Sequence, residues 1–130
     1  MVDPQTDGPS CAACYRDGMV SWYVRIQVVR DGSTFGWTTF GPVTTEVLPR
    51  VGEVVALDSD LVSEQLLRLV ALGAPDAPTV TKIEHFLGHT GATEVVVTVR
   101  ARTAQYMNDT LAAEFPTIPE RWLPNSGWPA

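Results

Sequence analysis

The sequence predicts an α+β chain that is mainly β: a small five-stranded antiparallel barrel or curled sheet, in the order βββαββα, with an extended arm at each end. Three observations carry this expectation. Apolar residues alternate with polar ones at period two in residues 21–30 and 93–101, one stretch between them changes to helical spacing, and Pro and Gly crowd both termini. The organisation that follows is an irregular N-terminal arm over 1–20, a barrel-like domain over 21–115 and a Pro- and Trp-containing C-terminal arm over 116–130.

In the first strand, Trp22, Val24, Ile26 and Val28 alternate with Tyr23, Arg25 and Gln27, and the strand ends at the turn dipeptide Asp31-Gly32. Residues 37–48 are rich in Thr, Val and Phe but interrupted by Gly41-Pro42. Since Pro cannot donate to a ladder, this reads as a bent second strand or a bulge at an edge. A turn at 49–52 leads to a short apolar run, 53–57, expected to be a third strand. From Leu61 the apolar positions Val62, Leu66, Leu69, Val70 and Leu72 recur at helical spacing and stop at Gly73, with Asp58, Ser59 or Asp60 available as the cap.

Two β-branched runs separated by the Gly-rich segment 88–92 then read as a hairpin over 79–101. On its outgoing arm Val95, Val97, Val99 and Ala101 form the face to be buried. A closing helix is expected over 102–114, with Ala104, Met107, Leu111 and Phe115 as its stripe, ended by Pro116. A helix between the third and fourth strands is the order found in OB-folds, and an SH3-like barrel fits equally well.

Charge narrows the partners. Nine Lys and Arg stand against 15 Asp and Glu, a net charge of -6, and no segment clusters cations as a phosphate-tracking surface does. Nucleic acid and anionic membrane are therefore not expected as partners. No run approaches a membrane span and no signal peptide is visible, so a soluble protein, cytoplasmic when made, is expected.

The chain offers few chemical motifs. No Gly-x-Ser-x-Gly elbow, P-loop or dinucleotide fingerprint occurs, and the expectation is a protein that is not an enzyme and carries no cofactor. Cys11, Cys14, His85 and His89 make up an inventory of zinc ligands. The two pairs lie far apart in sequence, however, and the His pair falls on a strand and its turn, where a structural site would use a knuckle or helix. Two thiols on an arm, or packed as small apolar groups, account for the cysteines without a metal. The carboxylates of Asp58, Asp60 and Glu64 lack the spaced ligands of a calcium loop and suit a helix start.

The C-terminal arm is the more telling segment. Pro116, Pro119, Pro124 and Pro129 forbid a continuous helix, yet Ile118, Trp122, Leu123 and Trp128 lie among them, and unfolded tails are usually poor in aromatics. Two readings stay open: the arm straps across its own domain, or it docks on a neighbouring subunit with Trp122 and Trp128 as anchors. The expected partner-binding residues are accordingly Trp122, Leu123, Trp128 and Ile118, with His89 and Thr90 from the hairpin turn.

The run Pro49-Arg50-Val51-Gly52-Glu53-Val54-Val55 leading into a strand, followed by Lys82-Ile83-Glu84-His85 and a Val-rich closing strand, resembles small β-rich accessory proteins of actinobacterial phages and mobile elements. The resemblance covers about half the chain. It implies a virion or assembly protein, in capsid decoration, head completion or the tail, that works by self-association or on a larger shell. The alternative is a small-ligand or metal-binding β-barrel using the 88–93 loop, with His85 and His89.

Overall fold

The computed structural model describes residues 18–72, 77–87 and 93–127. Strands β1 (Val20–Arg30) and β2 (Ser33–Thr45) form an antiparallel hairpin joined by Asp31 and Gly32, both at positive φ. That pair of left-handed residues matches the right-handed twist of the flanking strands, which is why Asp-Gly marks such turns. The chain then crosses through helix α1 (Glu64–Leu69) to a second antiparallel hairpin, β3 (Thr79–Leu87) and β4 (Thr93–Arg102). A short helix α2 (Asp109–Ala112), a 3-10 turn over Phe115–Thr117 and strand β5 (Arg121–Pro124) complete the described chain.

The five strands make one sheet in the order β3-β4-β1-β2-β5. β4 lies beside β1 and runs parallel to it, from Tyr23↔Val96 to Val29↔Arg102. The protein is thus mainly β, as expected, but its sheet is mixed and does not close into a barrel. The α1 crossover returns the chain to the far side of β1, so the two hairpins join through parallel central strands and leave β3 and β5 at opposite ends.

One sheet face carries the core. Val24, Ile26 and Val28 of β1, and Val95, Val97, Val99 and Ala101 of β4, are buried against Leu66 and Leu69 of α1 and against Phe115 and Ile118. The alternation read from the sequence placed these faces correctly. On β4, Val96 and Thr98 of the opposite face are buried too, because a central strand has neighbours on both sides. An ion pair spans that face: Arg25, beside Thr98, meets Glu84, beside Val96, at 3.2 Å, bridging from β1 to β3 across β4.

Four local expectations are corrected. Residues 53–57 form no third strand; they contribute one bridge, Val54↔Thr79, and Val55 N–H donates to the carbonyl of Pro78. Pro78 has no N–H to return, so the ladder stops there. Helix α1 begins later than Asp58–Asp60 would place it: Ser63 is the cap, its Oγ accepting from Leu66 N–H at 3.1 Å, while Asp58 Oδ1 turns its own loop by accepting from Asp60 N–H. The closing helix shrinks from 102–114 to Asp109–Ala112. The backbone is still extended there, because β4 runs on to Arg102, Thr103 bridges Val70 and Arg102 O is taken by Ala71 N–H, so the helix waits for the Asn108 cap. Finally, the Pro-rich tail supplies a strand, β5, which pairs with β2 from Gly36↔Pro124 to Thr39↔Arg121.

Gly41-Pro42 bends β2 as expected. The peptide is cis, and the β1–β2 register shifts between Trp22 and Val24. Because β5 covers only the Gly36–Thr39 half of β2, Pro42 sits on the half whose outer edge has no strand partner among the described residues.

Candidate functional site

Two features of the described surface bear on binding most directly: the outer edge of β3 and an apolar pocket. β3 ends the sheet. Its first residues are covered by the 52–55 segment, since Val80 N–H donates to Glu53 O and Gly52 N–H donates to Val80 O, both at 2.8 Å. From residue 81 to 87 no strand among the described residues pairs with the outer edge.

The register of β3 fixes which backbone groups point outward. The outward-facing Val80 lies opposite Val99, and one extra residue, Thr81, is inserted before Lys82 pairs with Thr98. Opposed residues of an antiparallel pair alternate between bonded and non-bonded positions. Lys82, Glu84 and Phe86 therefore bond inward to Thr98, Val96 and Glu94, which turns the N–H and C=O groups of Ile83, His85 and Leu87 outward. Side chains along the edge are apolar at its far end: Phe86 is 43% exposed and Leu87 79%. Lys82 and Glu84 are its only charges, 3.6 Å apart, and Glu84 is also held by Arg25. Proteins usually blunt such an edge with Pro, with several charges or with a covering loop. Here the cover stops at Val80.

The pocket lies at the bend of β2. Trp22, Val24, Pro42, Val43, Val55 and Leu57 supply most of its apolar wall, and its volume is about 440 Å³. Trp22 Nε1 donates to Thr45 Oγ1 at 2.8 Å, and that hydroxyl donates to Val47 O, so the indole N–H and the Thr45 hydroxyl on the wall are both satisfied. Leu61, on the pocket lining, and the nearby Val54 and Val47 are exposed.

The residues expected to bind a partner fall into three groups. Ile118 is buried in the core, and Trp122 packs its ring against both Phe35 and Phe115, with centroids at 5.7 and 4.4 Å, while those two rings touch each other at 5.2 Å. Leu123, opposite Trp37 on β5, is half-buried. Trp128, His89 and Thr90 lie outside the described residues, as do Cys11 and Cys14. His85 is exposed on β3, and among the described residues no group of three or more His, Cys, Asp or Glu is placed to hold a metal ion. No described helix is long and apolar enough to cross a membrane.

Sequence reasoning passed over Phe86 and Leu87. Their signal was present in the irregular run Ile83-Glu84-His85-Phe86-Leu87, where apolar residues stand next to one another instead of alternating, but only the register shows which of them face away from the sheet. No family model, curated protein or solved structure matches this chain.

Proposed function

We propose that this protein is a non-enzymatic interaction module that joins other chains by strand addition at β3, in the setting of a virion or similar assembly. The observation that supports the reading is the uncovered 81–87 edge with Phe86 and Leu87 exposed at its end. A strand added there gains main-chain hydrogen bonds to groups that the fold already presents, and the exposed side chains add apolar contact. The resemblance to phage accessory proteins supports the assembly setting.

The tail supports this reading less directly than the sequence suggests. Ile118 and Trp122 are spent on the protein's own core, so the tail acts first as a strap on its own sheet. Deleting 116–130 would therefore test folding as much as association.

The direct test is the size of the protein in the cells that make it, measured under non-denaturing conditions. The wild type should run well above the 14.1 kDa of one chain, and Phe86→Lys with Leu87→Lys should return it to single-chain size. Wild-type protein at single-chain size overturns the reading. A second reading, a small-ligand binder, is favoured by the pocket of about 440 Å³ at the β2 bend, within the range of small-molecule sites. Saturable one-to-one binding of a small apolar fluorescent probe, lost in Ala56→Trp at the pocket wall, would support it; no saturable binding would remove it.

A further inference from the structure

We infer that the strand added at β3 is β3 of a second copy of this chain, antiparallel about a twofold axis through His85, which joins two five-stranded sheets into one of ten. The inference rests on the reading of β3 as a contact edge and names its occupant and register.

Five twofold axes, through residues 83 to 87, bring outward groups of two copies together, and four of them are less favourable. An axis through Phe86 or Leu87 leaves Ile83 with no mate within the described strand, and the other two fail on local grounds. An axis through Ile83 sets Phe86 of the second copy opposite Val80, where Gly52 and Glu53 already occupy the edge. An axis through Glu84 sets two Glu84 side chains in a non-bonded pair, with Cα atoms about 4.5 Å apart, the closest approach in an antiparallel ladder. Like charges directly opposite are destabilising there.

An axis through His85 meets neither obstacle. It pairs Ile83 with Leu87 of the second copy, His85 with its own mate, and Leu87 with Ile83, so all three residues with outward backbone groups are bonded. Leu87, the most exposed large apolar residue described, gains Ile83 as a cross-strand neighbour. On the other sheet face Glu84 comes opposite Phe86, while its carboxylate stays with Arg25 and Lys82 of its own chain. The last described residue of the second copy's strand, Leu87, stands opposite Ile83, three residues short of Val80 and its partners Gly52 and Glu53.

Charge favours a second copy over an acidic or basic peptide. Lys82 and Glu84 leave the edge with no net charge on a chain of net charge -6, so two copies can approach along this line without bringing like charges together. A strongly charged peptide finds no complementary field here.

The test is a set of single cysteines in a background with Cys11→Ser and Cys14→Ser. A twofold axis brings a residue next to its own mate only at the axis, with Cα atoms about 5.5 Å apart in a bonded pair, and a disulfide needs less than about 7 Å. His85→Cys should therefore cross-link under mild oxidation and double the 14.1 kDa mass, while Ile83→Cys and Glu84→Cys stay single. Purified wild type should also sediment at twice the chain mass, and Phe86→Lys with Leu87→Lys should abolish the doubling without changing the far-ultraviolet circular dichroism. Cross-linking at 83 or 84 in place of 85 overturns the register. Single-chain mass for pure wild type, with no cross-link at any of the three positions, overturns the second copy; in that case a large native size in cells would leave the edge reading standing, and a small one would remove both.

Discussion

Gly36→Ala should be among the most damaging single-atom additions to this protein. Gly36 lies on β2 opposite Pro124, and a Cβ built there would sit 2.2 Å from two ring carbons of Trp122 and 2.9 Å from the carbonyl oxygen of Leu123. Ordinary contact begins near 3.4 Å, so the ring must move by more than 1 Å and leave its place against Phe35 and Phe115. A Trp side chain covers ~150 to 250 Å² when buried. Taking about half of that for a half-buried ring, at ~25 cal/mol per Å², gives about 2.5 kcal/mol. The lost ring contacts add about 0.5 to 1 kcal/mol, and the lower chain entropy of Ala in the unfolded state returns a similar amount. The net cost is about 2 to 3 kcal/mol, which in a domain of this size lowers the melting temperature by about 8 to 12 °C.

Thermal unfolding followed by circular dichroism, with Trp fluorescence as the second probe, measures this loss. The decisive form is a double-mutant cycle with Trp122→Ala. Once the ring is gone the closest clash is gone and only the 2.9 Å approach to the Leu123 carbonyl oxygen remains, so Gly36→Ala should cost markedly less in that background, a coupling of about 2 kcal/mol. Gly52→Ala is the control: its φ of +94° makes Ala strained, but nothing lies within 4 Å of the added carbon, so its cost should be the same with or without Trp122. Additive costs for Gly36→Ala and Trp122→Ala would refute the packing account of β5.

Three further outcomes are expected. Ser63→Ala should lower stability by about 1 to 2 kcal/mol in chemical denaturation, because Ser63 caps α1 and its Oγ also donates to Glu120 Oε1 at 2.8 Å. Thr38→Val should leave stability unchanged or raise it by up to about 1 kcal/mol, since the Thr38 hydroxyl is fully buried with no hydrogen-bond partner among the described residues and Val keeps its shape; a clear loss would show that the hydroxyl is satisfied. Phe115→Ala, at a fully buried ring shared by Phe35 and Trp122, should cost about 3 to 5 kcal/mol and shift Trp emission to the red.

Much of the sheet was legible in the sequence because period two survives wherever one face is buried and the other is not. Trp22, Val24, Ile26 and Val28 declared β1, and Asp31-Gly32 declared its turn. What failed were segments whose backbone partners lie far away in the chain. Residues 53–57 have the composition of a strand, but Pro78 on the facing segment cannot continue a ladder. Ala104 and Met107 have helical spacing, but β4 runs on to Arg102 and Thr103 bridges Val70, so the chain there is still extended. The parallel β1–β4 pairing was equally hidden, because nothing local in Val95–Val99 states which strand will lie alongside. The candidate contact edge was invisible for a related reason: an edge is defined by the neighbour a strand lacks, and a sequence lists residues, not neighbours.

The bridge from Arg25 to Glu84 across β4 has a bearing on how fast and how selectively β3 could be met. A peptide that must stiffen on arrival gives up conformational freedom at the moment of contact, and that loss comes out of the affinity. Here β3 is stitched to β4 along its length and clasped from β1 by a guanidinium that reaches over the strand between. Its outward donors and acceptors keep a fixed spacing before any visitor appears. In the proposed strand addition the edge would act as a ruler, rewarding a strand whose own groups fall on the same marks and giving little to one that must bend to fit.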